Sequence, residues 1–154
     1  MWWLLFSFLS MGEKEWKLAF SGKVGFLYPV SGYSTEEGLY GGGLGCGVLF
    51  LSEPFAVDAN AYLFWGPEPD LNLDVDIFRA IKSGRFSHMF GGGLGFSGIG
   101  NGSVNFHLIY QLMLFRDLMI NAIPEVRFNY ILPREEGESA RMGISILLGV
   151  ALSI

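Results

Sequence analysis

Apolar and polar residues alternate one for one through eight stretches of this chain, with turn-forming residues between them. Such alternation places successive side chains on opposite faces of an extended strand, so it predicts eight strands. In the first, 15–28, Trp16, Leu18, Phe20, Val24, Phe26 and Tyr28 oppose Lys17, Ala19, Ser21 and Lys23. The second, 39–51, turns Tyr40, Leu44, Val48 and Phe50 away from a run of glycines. The third, 55–65, sets Phe55, Val57, Ala59, Ala61, Leu63 and Trp65 against Asp58 and Asn60. The fourth begins at Leu71, where Leu71, Leu73, Val75 and Ile77 oppose Asn72, Asp74 and Asp76. The fifth starts at Phe86 and repeats the GGGLG of the second directly after an aromatic residue, Phe90. The sixth, 104–115, opposes Phe106, Leu108 and Tyr110 to Asn105, His107 and Gln111. The seventh, 120–132, opposes Val126, Phe128 and Tyr130 to Glu125, Arg127 and Asn129, and the eighth, 140–154, opposes seven apolar residues to Gly143, Ser145 and Gly149.

Two positions disturb the pattern. Pro124 lacks the N–H that a strand inside a sheet supplies, which predicts a bulge or a late strand start there. Arg79 falls on the apolar face, which predicts either a bulge near Phe78 or an arginine that reaches to a polar boundary. The connections also alternate. Short turns are expected at 52–54, 82–85 and 116–117, and generally longer loops at 29–38, 66–70, 100–103 and 133–139.

Composition decides what surrounds these strands. Hydrophobic residues make up 51% of the 154 and charged residues 16%, below the roughly 25% charge of ordinary soluble domains. No stretch supplies the ~20 apolar residues of a membrane-spanning helix. The remaining choices are an apolar soluble β-protein and a membrane barrel. Eight strands enclose a space that side chains just fill. Packing Trp16, Phe20, Phe26, Tyr40, Phe50, Trp65, Phe106, Tyr110, Phe128 and Tyr130 inside would overfill it. Glycine inside and aromatics outside fits, and glycine inside a strand suits close approach and tight curvature. The expectation is therefore all-β: an eight-stranded antiparallel up-and-down transmembrane β-barrel, with short turns at one end and longer loops at the other. Tyr28, Tyr40, Trp65, Phe106 and Tyr130 would ring the loop end, and Trp16, Phe50, Phe55 and Phe86 the turn end.

The other face then points inward, carrying Lys23, Asp58, Asp74, Asp76, His107, Glu125 and Arg127. Buried charges of both signs persist when paired, so this set reads as a salt-bridge plug, with an ion path as its functional alternative. Asp74 and Asp76 share a strand face, as acid–base chemistry wants, but neighbouring cations favour a charge network. His107, with His88 as its sole fellow histidine, lacks the ligands of a metal site and a nucleophile for a triad. GGGLG is followed by no GK[ST] and opens no helix, so it is not a phosphate loop. Glu36, Glu37, Glu68, Asp70, Glu135, Glu136 and Glu138 face a single Arg134 at the loop tips, which reads as a solvated acidic rim or as a divalent-cation site shared with lipid headgroups. A net charge of −5 argues against nucleic acid. The single cysteine, Cys46, excludes an internal disulfide and reads as a small apolar strand residue.

Residues 1–12 are apolar and precede a charged segment, with Ser10 and Gly12 as small residues at a cleavage point, and no basic residue before them. They read as the core of a secretory signal or as a hydrophobic extension, and 13–154 as the barrel. The GGGLG strands, the alternation and the apolar final strand ILLGVALSI resemble the small outer-membrane barrels related to OmpA and OmpX, over about residues 15–154. That family commonly ends on an aromatic residue, where this chain has Leu152-Ser153-Ile154. The resemblance implies a monomer in the bacterial outer membrane, contacting membrane lipid (lipopolysaccharide included), with no cofactor. It implies a structural or surface-interaction role and no enzymatic one, since the histidine–serine arrangement of the lipid A deacylases has no counterpart here. A soluble barrel binding a hydrophobic ligand, a lipid-modifying enzyme and a small channel stand as alternatives.

Overall fold

The computed structural model describes residues 16–32, 41–65, 70–98, 102–133 and 139–154. Eight strands form: β1 (Trp16–Ser31), β2 (Gly41–Ser52), β3 (Phe55–Trp65), β4 (Asp70–Ser83), β5 (Phe86–Ser97), β6 (Ser103–Met113), β7 (Ile120–Ile131) and β8 (Arg141–Ser153). Each pairs antiparallel with the next, and β8 pairs with β1 to close the barrel. A path through paired residues leaves β1 at Ala19 and crosses Leu49, Asp58, Asp76, Gly93, His107, Asn129 and Gly143. It returns to β1 at Pro29, so the stagger around the barrel is ten residues. A stagger of this size tilts strands by roughly 35–45° and leaves no open edge.

The outer face is apolar around the whole circumference. Trp16, Phe20, Phe26, Phe50, Trp65, Phe106, Phe128 and Tyr130 are all exposed, and Leu108, on mid-strand, is 69% exposed. Water gives no reason to expose side chains of this size on every strand, whereas lipid does. Trp16 stacks near Phe50 at the turn end, ring centroids 6.3 Å apart. Cys46 lies on this outer face. Tyr40 and residues 1–12 fall outside the described residues.

Arg79 also points outward, without a bulge. β4 keeps one register against β3 and one against β5 along its whole length, with Phe78 turned inward. Arg79 pairs with Phe55, the first residue of β3, so it stands at the turn-end rim. There a lipid-facing arginine costs about 0–1 kcal/mol, against about 2–4 at the bilayer midplane.

Pro124 causes neither a bulge nor a late start. β7 begins at Ile120 and holds its register against β8 through Pro124↔Leu148. The missing donor is felt on the other side, where the β6–β7 ladder stops at Gln111↔Glu125 and resumes as the single bridge Leu114↔Ala122. β6 therefore ends before 115, and 114–119 form the connection in place of the two-residue turn expected at 116–117. Phe115 takes a positive φ of 57° there. The short-turn and long-loop alternation is accordingly not strict, since the connection at 66–69 is shorter than this one.

The lumen is layered. At the turn end Ala19, Leu49, Leu51, Ala56, Phe78, Ala80, Met89, Ile109, Met113, Ile123 and Ala151 form one apolar cluster to which every strand contributes. A smaller cluster of Leu27, Tyr62, Phe64 and Leu147 lies toward the loops. The charged residues Lys23, Asp58, Asp74, Asp76, Glu125 and Arg127 sit between. The expectation of a hollow lined by glycine and ions is thus incomplete: Tyr62, Phe64 and Phe78 are aromatic residues on the inside.

Candidate functional site: the polar interior

The glycine repeats explain how those large residues fit. Inward-facing Gly43, Gly45 and Gly47 on β2 lie opposite Phe64, Tyr62 and Asn60 on β3. Inward-facing Gly91, Gly93 and Gly95 on β5 lie opposite Phe78, Asp76 and Asp74 on β4. A Cβ at any of these six would collide with the side chain opposite it. The two GGGLG copies are therefore clearances on either side of the β3–β4 hairpin, letting its inward side chains lean sideways across the neighbouring strand. Lys23 has the same provision, with Gly45 on one flank and Gly149 on the other.

Into that space converge seven residues from β1, β3, β4, β6 and β7. Lys23 Nζ lies 2.7 Å from Glu125 Oε2 and 3.1 Å from Asp58 Oδ2. It also donates to Asn60 Oδ1 and to the Tyr62 hydroxyl, both at 3.0 Å. Arg127 forms ion pairs through all three of its nitrogens: Nε with Glu125 Oε1 at 3.0 Å, Nη2 with Asp76 Oδ2 at 2.8 Å, and Nη1 with Asp74. Arginine's planar fork suits three carboxylates at once, where an ammonium would not. His107 reaches over Gly93, with Nε2 2.5 Å from Asp76 Oδ1. All seven predicted interior residues are buried; six are joined by ion pairs and hydrogen bonds, and His107 adjoins them at Asp76 without a hydrogen bond at either ring nitrogen.

Two members were not singled out from the sequence. Asn60 bridges Lys23 and Asp76. Tyr62 stands between the cations, its ring centroid 5.5 Å from Lys23 Nζ and 4.7 Å from Arg127 Cζ, and its hydroxyl accepts from both. Their signal was available, because both share the inward phase of Asp58. A second, partly buried group closes the turn end: Arg116 pairs with Glu53 and donates to Ser87 at 3.3 Å, while Lys17 donates to the Arg116 carbonyl. Above the network, a cavity of about 10 Å³ lined by Asn72, Asn105, Asn129 and Arg127 has room for about one water molecule.

Both cations of the network, Lys23 and Arg127, are engaged by carboxylates. Asp74 and Asp76 both serve Arg127, and His107 is enclosed inside the wall, away from lipid. Among the described residues, no group of three or more histidine, cysteine or acidic side chains could hold a metal. The acidic loop residues Glu36, Glu37, Glu68, Glu135, Glu136 and Glu138 lie outside the described residues, and of Asp70 only the backbone is described, pairing with Phe64.

A closed eight-stranded barrel with an apolar exterior and an ionic centre defines a class, the transmembrane β-barrels. No protein-family model matches this sequence, and no curated protein matches it. Among solved structures, the fold is similar to that of Neisserial surface protein A, with 10% identity over 89% of this chain and 96% of that one, and a TM-score of 0.67. It is similar to the N-terminal β-barrel domain of Pseudomonas aeruginosa OprF, with 10% identity, coverage of 88% and 97%, and a TM-score of 0.61. The outer membrane enzyme PagL shares the fold at 12% identity, coverage of 85% and 97%, and a TM-score of 0.53. The fold is thus that of small bacterial outer-membrane barrels, as the resemblance implied.

Proposed function

We propose that this chain is a monomeric integral protein of the bacterial outer membrane, non-enzymatic and non-conducting, acting as a structural element or through its loops. The single observation that supports this reading is the apolar layer at the turn end, built from all eight strands beneath a network whose cations are already engaged. An ion crossing the lumen would have to break those pairs and then pass Phe78, Met89 and Met113. The apolar exterior supports the membrane placement, and the outer-membrane proteins that share the fold support the choice of membrane. Membrane lipid, lipopolysaccharide included, is the proposed partner.

Planar bilayer recording of the refolded protein tests the sealed lumen. The expected result is a silent membrane across the accessible voltage range; discrete conductance steps would overturn the reading. PagL, called an outer membrane enzyme, carries chemistry on a similar barrel, so lipid turnover is the natural second measurement. Turnover by the purified protein that disappears in His107→Ala, or in Asp74→Asn with Asp76→Asn, would replace the structural reading with an enzymatic one.

A further inference from the structure

We propose that the lipid-facing cluster of Arg79, His88 and Tyr110 binds the phosphodiester of an anionic glycerophospholipid at the turn-end rim of the barrel. The inference rests on the membrane placement proposed above and adds a ligand to it.

Residues 78–116 contain Arg79, Lys82, Arg85, Arg116 and both histidines, but no aspartate or glutamate. Arg116 turns inward to Glu53. The other three cations mark the outer side and tip of the β4–β5 hairpin, and all three are exposed. Among the described residues none forms an ion pair with Arg79, Lys82 or Arg85. A guanidinium without a counter-ion among the described residues, standing at the edge of a bilayer, is placed to take a lipid phosphate as its counter-charge.

The residues beside Arg79 supply further donors. Arg79 stands opposite Phe90 on β5, and Phe90 stands opposite Tyr110 on β6. The Phe90 and Tyr110 rings pack with centroids 4.8 Å apart. His88, two residues nearer the turn on β5, places Nδ1 2.9 Å from the Tyr110 hydroxyl. When that hydroxyl donates to Nδ1, the imidazole proton sits on Nε2, the nitrogen without a partner among the described residues. A phosphate at this spot meets one guanidinium and one imidazole N–H, held over an aromatic floor. Same-face residues on adjacent strands lie about 5–8 Å apart, a span that one phosphodiester bridges. Lys82 and Arg85 extend the positive field outward from the rim.

The test is NMR of protein labelled at histidine and placed in phosphatidylcholine nanodiscs, with phosphatidylglycerol replacing part of the lipid. His107, sealed in the lumen, is the internal reference. The expected result is a saturable shift of the His88 ring signals with phosphatidylglycerol fraction, His107 unmoved, and an apparent affinity roughly tenfold weaker in Arg79→Leu. Tyr110→Phe, which frees His88 but keeps the charge of Arg79, should weaken binding less. A His88 signal indifferent to phosphatidylglycerol would overturn the proposal, as would equal saturation in Arg79→Leu. An equal response to oleate would reduce the site to general charge attraction, and an equal response to inorganic phosphate would remove the lipid from it; either outcome also overturns it. Heat-modifiable gel mobility of each variant reports insertion separately. A wild-type protein that fails to insert refutes the membrane placement itself.

Discussion

Arg127 holds the interior together, because three carboxylates depend on it, Asp74 and Asp76 from β4 and Glu125 from its own strand. Removing one partner of a buried ion pair leaves uncompensated charge and costs about 3–5 kcal/mol. Arg127→Met should lose stability on that scale in equilibrium urea unfolding from lipid vesicles, and a change near zero would mean the network contributes nothing. Tyr62→Phe removes one hydroxyl shared by two cations and should lose about 1–3 kcal/mol in the same assay. The charged members of the network were legible in the sequence, because Lys23, Asp58, Asp74, Asp76, Glu125 and Arg127 all fall on the minor phase of their strands. Tyr62 and Phe64 are not legible in the same way, because their size alone argues for the outer face. Size alone could not reveal that Gly45 and Gly43, a strand away, make room for them.

Strand periodicity located every element and the bounds of β3 without error, since alternation is strict where one face meets lipid and the other a packed lumen. It failed where a backbone effect cuts across the pattern. Pro124 obeys the alternation perfectly, and its missing donor breaks only one of two ladders, which no side-chain pattern reports. The glycine repeats carried the opposite lesson, since their number signalled a narrow lumen, yet each has a particular neighbour. This separates Gly91 from Gly22. A Cβ at Gly91 would lie 2.8 Å from the Phe78 Cα, whereas one at Gly22 meets nothing within 4 Å. Gly91→Ala should therefore destabilise by about 1–3 kcal/mol through overpacking, and Gly22→Ala should change stability by less than about 0.5 kcal/mol. Equal losses at the two sites would mean that glycine is needed for strand curvature and not for clearance.

At the scale of the whole molecule, the barrel inverts the usual arrangement of a soluble domain: ions in the middle, apolar bulk outside. The eight antiparallel strands, the closure and the interior network all follow from that inversion, and the sequence declared it through low charge and alternation together. The apolar floor at the turn end was less legible, because Leu49, Met89 and Ile109 interrupt the polar phase singly and gather only when the barrel closes. What surrounds the outer wall is tested most directly by fluorescence quenching. With Trp2 and Trp3 replaced by phenylalanine, the protein reports from Trp16 and Trp65, one at each end of the outer face. Refolded into vesicles, both should be quenched by lipids brominated near the headgroup and barely by aqueous iodide. Strong iodide quenching with no response to brominated lipid would contradict the account.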